Sequence, residues 1–155
     1  MRLSLLVALT ALIAMPAAAS DATGNWNEFR SNGGQSHLQE SDWRLLTTNH
    51  QMDIGLASEI RYYVAWRDAG DVGVFMRYTF SPAVSPAELP APGPLQTEYV
   101  ETTITCASST VRLHHMHLYA PDGHKFGMWF DPDASANASA FDYGSLTGMT
   151  ARLVC

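Results

Sequence analysis

The stretch VRLHHMHLYAPDGHKF, Val111 to Phe126, carries the densest run of metal-ligating and titrating side chains in the sequence. His115 and His117 stand two apart, and on an extended strand that spacing points both to one face. Two imidazoles so placed can share one Cu(II), Ni(II) or Zn(II) ion, given a third ligand. His124, just past the turn APDG, is the nearest candidate. The metal reading is therefore His115, His117 and His124, with copper or zinc as the ion. His114 alternates to the opposite side, so the adjacent HH pair is not a chelate. Met116 and Met128 are soft donors suited to Cu(I), but the expected register turns them to the buried face. The competing reading is a contact surface. His117, Tyr119, Lys125 and Trp129 would form an exposed aromatic–cationic patch, with the residue types that interface hot spots favour. Tyr63, Phe75, Arg61 and Arg77 extend that patch if the sheet continues in that order. A homodimer pairing through sheet faces or edges would use the same surface.

Catalytic patterns are missing from the sequence. It holds no nucleophile elbow, no H-E-x-x-H and no Gly-rich phosphate loop. Asp131 and Asp133 form an acidic turn, DPD, without the further oxygen ligands a calcium loop needs. The chain is read as a non-enzymatic binding domain. Its formal net charge of −6 argues against nucleic acid and anionic membrane surfaces, both of which attract basic patches.

The elements that must hold these residues are mostly strands. EIRYYVAWRDAGDVGVFMRYTF, from Glu59, reads as two strands around the three-residue loop Asp68-Ala69-Gly70. Arg67 is set opposite Asp71. Ile60, Tyr62, Val64 and Trp66 then share an apolar face with Val72, Val74, Met76 and Tyr78. Five prolines in SPAVSPAELPAPGPLQ, Ser81 to Gln96, predict a long extended surface loop. TEYVETTITC, Thr97 to Cys106, is a strand that alternates Val100, Thr102 and Ile104 against Tyr99, Glu101 and Thr103. The histidine strand turns back at Ala120-Pro121-Asp122-Gly123, a type I turn with a Gly bulge. That register sets Ala120 opposite His124 and His117 opposite Gly127. Met116, Leu118, Phe126, Met128 and Phe130 then form one face, and His115, His117, Tyr119, Lys125 and Trp129 the other. Asp131 to Gly144 has turn chemistry. SLTGMTARLVC reads as a short helix capped by Ser145, although Gly148 weakens it. In the first third, NWNEF and SDWRLLT suit strands, SNGGQSH suits a loop, and DIGLASEI suits a helical turn.

The N-terminus, MRLSLLVALTALIAMPAAAS, joins one basic residue, an apolar run from Leu3 to Ile13 and the small residues Ala17 to Ala19. That is the pattern of a secretory signal peptide, residues 1–19, leaving 20–155 as a single domain. The run is shorter than the roughly 20 residues a membrane-spanning helix needs, and no later run is long enough. No cysteine lies at the cleavage point, so the chain is expected to be exported, to the periplasm or the outer surface, without a lipid anchor. In an exported protein its two cysteines, Cys106 and Cys155, are most simply a disulfide. Closing a loop of roughly 50 residues adds about 4 kcal/mol in the chain-entropy account.

The layout resembles a known family. Trp26 or Trp43 near the start, Asp53, Ser58 and Ile60 before a strand, and Val100, Glu101, Ile104 and Cys106 in V-E-x-x-I-x-C are its first marks. Tyr119, Gly123, Ser145 and Cys155 follow in order. Together they are similar to the surface-adhesin protein E-like domains of Gram-negative bacteria. The resemblance implies an α+β fold: an antiparallel, meander-like sheet of about six strands with a short C-terminal helix packed on one face. It also implies a protein partner, from the host extracellular matrix or the cell envelope. No catalytic residues come with the family. The alternative function is a periplasmic transition-metal-binding protein that uses the HHMH strand.

Overall fold

The structure is a computed structural model and describes residues 38–85, 93–131, 133 and 137–155. The expected leader (1–19), the NWNEF strand with Trp26, the SNGGQSH loop and the middle of the proline-rich loop lie outside the described residues.

Six strands run in chain order across one antiparallel sheet. They are β1 (Arg44–Met52), β2 (Gly55–Asp68), β3 (Asp71–Val84), β4 (Leu95–Thr105), β5 (Thr110–Tyr119) and β6 (Lys125–Phe130). A two-residue strand, β7 (Ser139–Ala140), pairs with the start of β5. The chain closes with helix α1 (Leu146–Val154) on one face. The α+β meander with a C-terminal helix is therefore as expected. None of its helices is long and apolar enough to cross a membrane, among the described residues.

Alternation builds the main core. Ile60, Val74, Phe80, Leu95 and Ile104 are fully buried on the helix side, each worth roughly 1.5–3 kcal/mol of burial. Ser145 caps α1 by accepting the Gly148 N–H at 3.1 Å. Cys155 at the helix end is bonded to Cys106 at the end of β4. Gly148, which lowers helix propensity, is needed for packing. A Cβ there would collide with the Asp142 carbonyl and the Tyr143 backbone.

Several local expectations differ. The β2–β3 loop is the two-residue Ala69-Gly70, both at positive φ (44° and 93°), with Asp68 paired to Asp71. A bulge between Val64 and Trp66 then restores the expected pairing of Val64 with Val74 and Tyr62 with Met76. The bulge moves Trp66 off the apolar face. Its indole lies across Gly73, where a Cβ would collide, and it packs with the cluster on the second face. DIGLASEI forms no helical turn; Asp53-Ile54 is the β1–β2 turn and the rest is β2. The proline-rich stretch is strand at both ends, with Val84 paired to Leu95. Pro82 is tolerated because the register is irregular between Thr79 and Val84, where no regular ladder bond is asked of it.

Candidate functional site

The sheet has a second packed face. Trp43 covers Phe75 and lies 6.5 Å from the Tyr63 ring and 6.0 Å from the Tyr99 ring. A short 3-10 turn, Glu40–Asp42, leads into it. Arg77 stacks over Trp43 at 5.0 Å and donates twice to Glu40, at 2.7 and 2.6 Å. Arg61 donates twice to Glu59, at 2.7 and 2.9 Å. These guanidinium bonds hold the Glu40 and Glu59 carboxyls below the usual range, against a smaller opposing effect of burial. Phe75 is thus buried and Tyr63, Arg61 and Arg77 are half-buried in this layer, so they do not extend an exposed patch as the sequence reading expects.

The histidine strand faces this layer. Register sets Tyr63, Phe75, Glu101 and His115 in one row, and Arg61, Arg77, Tyr99 and His117 in the next. Glu101 and His117 are fully buried and Tyr119 is nearly so. His115 Nδ1 lies 2.9 Å from Glu101 Oε2. The His115 and His117 rings are parallel within 3°, with centroids 6.1 Å apart. Burial, then Lys125 and His115, pull the His117 ring down to about 4, so it is neutral at neutral pH. A bulge between Glu101 and Thr102 in the β4–β5 pairing leaves His114 as the extra residue. Its Nε2 sits 2.8 Å from Thr103 Oγ1, on the same face as Glu101. His114 therefore joins the side of His115 and His117 rather than opposing it.

The proposed metal ligands do not gather. His115 and His117 share a face as their spacing predicts, but His124 sits on the exposed hairpin turn, where its carbonyl accepts the Ala120 N–H. From Ala120 to His115 is five residues, about 17 Å of extended chain. Among the described residues, no group of three or more His, Cys, Asp or Glu is placed to hold a metal ion.

The expected contact patch is also rearranged. The turn at Ala120 forms as predicted, with Gly123 donating to the Ala120 carbonyl at 2.9 Å and φ of 81°. A further bulge between Leu118 and Tyr119 inserts Phe126 between their partners. His117 then pairs with Met128, and Met116 with Trp129, one residue out from the expected register. One slipped residue exchanges the faces of everything beyond it. His117 and Tyr119 are buried, Lys125 is exposed on their side, and Trp129 belongs to the side of Met116.

Among the described residues the sheet ends at β1 and at β6, and the β6 edge is the one that carries an exposed Trp. Trp129 is 44% and Met128 60% exposed, on opposite faces of one strand. Among the described residues β6 pairs only with β5. Asp131 donates its N–H to the His114 carbonyl at 3.0 Å. By alternation Trp129 and Gly127 also turn their backbone groups towards β5, and Met128 turns its own outward. Residue types alone pick out Trp129, but which β6 groups face outward depends on the bulge at Phe126.

Comparison with protein-family models, with curated proteins and with solved structures returned no match.

Proposed function

We propose that the chain is an exported, non-enzymatic binding domain that takes a protein partner, of the host extracellular matrix or the cell envelope, at the β6 edge. The observation that carries this reading is an exposed Trp129 and Met128 on a strand whose outer edge is unpaired among the described residues. Strand addition supplies affinity through main-chain hydrogen bonds, and side-chain pockets supply specificity. A partly exposed Trp is the residue type most often dominant in such contacts. The leader-like N-terminus, the disulfide and the resemblance to surface-adhesin protein E-like domains support export and a protein ligand. A homodimer through the same six-residue edge, which begins at Lys125, is the alternative use of this surface.

The test is solid-phase binding of the secreted chain to immobilised extracellular-matrix and envelope proteins, wild type beside Trp129→Ala. The reading expects saturable binding that weakens at least tenfold, roughly 1.4 kcal/mol, in the variant. Saturable binding indifferent to Trp129 would move the contact elsewhere, and no saturable binding would remove the reading.

A further inference from the structure

Helix α1 is nine residues long, about 13 Å, and cannot cover a sheet face built from 14-residue strands. It lies over one end of that face. Thr150 donates to Met76 Sδ at 3.7 Å, Arg67 donates to the Val154 carbonyl, and the disulfide anchors the helix terminus. At the other end the β1–β2 turn closes over the sheet incompletely. Met52, Ile54, Leu95, Met116 and Leu118 wall a cleft of about 270 Å³ there.

Two carboxyls line the same cleft. Asp53 stands at the exposed rim, and Glu98 lies within. Glu98 is there because it alternates in phase with Val100 and Ile104, so β4 delivers it to the apolar face. It is 6% exposed, and no hydrogen bond or ion pair to its carboxyl is found among the described residues. Its cross-strand neighbours are Tyr78 and Leu118. Among the described residues, the titratable groups near it are the Tyr78 phenol and the Asp53 carboxyl, and no cationic side chain lines the cleft. Burial alone raises the Glu98 carboxyl to about 7. A buried carboxyl without a partner is costly, and such groups cluster where a ligand supplies what the fold omits.

We propose that this cleft binds a small organic cation, an ammonium group on a short apolar body, with Glu98 as the anionic anchor. The thioethers of Met52 and Met116 give walls that adapt to an alkyl chain. Asp53 at the mouth and the net charge of −6 favour the approach of cations over anions. The volume suits a ligand at or below the small end of ordinary binding pockets. The site borders the β6 edge, since Met116 pairs with Trp129, but it is anchored on Glu98 and stands or falls without the β6 contact.

The experiment is calorimetric titration of the full chain at pH 8.5 with n-hexylammonium, n-hexanol and n-hexanoate, repeated for n-hexylammonium at pH 5.5 and with Glu98→Gln. The proposal expects saturable n-hexylammonium binding, at least tenfold tighter than n-hexanol, with n-hexanoate weakest. Affinity falls at least tenfold at pH 5.5, where the carboxyl is protonated, and at least tenfold in Glu98→Gln. The comparison of three ligands on the wild type and the pH arm decide the matter even if the variant folds poorly. Equal affinity for n-hexanol and n-hexylammonium, no saturable binding of n-hexylammonium, or affinity indifferent to pH or to Glu98→Gln would each overturn it. Binding to matrix proteins unchanged in Glu98→Gln separates this site from the β6 contact.

Discussion

Two buried titratable side chains set opposite pH dependences on the two faces of one sheet. Glu98 is raised from about 4.5 to about 7 by burial. The folded state therefore holds its proton more tightly than the unfolded chain. That stability is fully present below pH 4.5 and is lost as pH rises through 7, roughly 3 kcal/mol in all. His117 is lowered from 6.5 to about 4. Here the unfolded state binds the extra proton, so stability is present above pH 6.5 and lost as pH falls towards 4, up to about 3 kcal/mol. Denaturant titrations at pH 4.5, 6 and 8 check both. Glu98→Gln should gain on the wild type as pH rises, and His117→Asn should gain on it as pH falls. The placing of Glu98 follows from alternation, in phase with Val100 and Ile104, although no motif singles it out. Burial of His117 does not, because imidazoles on a strand look the same whether the face is open or covered. Trp43, Tyr99 and Phe75 make a second apolar cluster only after register aligns four strands.

At the scale of elements, bulges decide where side chains end up. The two main hairpins, the strand ending at Thr105, the helix and its Ser145 cap could be read from alternation and turn residues, whereas the start of β2, the strand ends in the proline-rich stretch and β7 could not. The bulges at Ala65, His114 and Phe126 could not, since none is marked by a glycine or proline at the extra position. Each moved a residue of interest: Trp66 to the second face, His114 to the side of His115, and Trp129 to the side of Met116. Gly148 is the converse case, a helix-weakening residue with a packing reason. Gly148→Ala ordinarily adds up to about 1 kcal/mol to a helix. Against the Asp142 and Tyr143 backbone it should instead cost about 1–3 kcal/mol, read as a lower urea midpoint. A raised midpoint would mean that the helix does not sit against that turn.

The whole molecule is a single sheet closed differently on its two faces. One face is covered at one end by a short helix and a disulfide, the other by Trp43 and the Arg61 and Arg77 ion pairs beside it. Cys106 and Cys155 lie 49 residues apart in sequence and join the helix end to β4. Replacing both with serine should lower stability by about 2–4 kcal/mol, and the loss should match that of the reduced wild type. With the second face packed and the first partly covered, the exposed Trp129 and Met128 on an edge strand are left without a structural role in the sheet. The measurement that tests this most directly is surface plasmon resonance of Met128→Pro against the matrix or envelope protein that binds the wild type. Met128 turns its N–H away from β5, so proline there removes an outward donor and leaves the internal ladder in place. The account predicts affinity at least tenfold weaker with a melting temperature close to wild type. Wild-type affinity in a folded Met128→Pro protein would contradict recognition at the β6 edge.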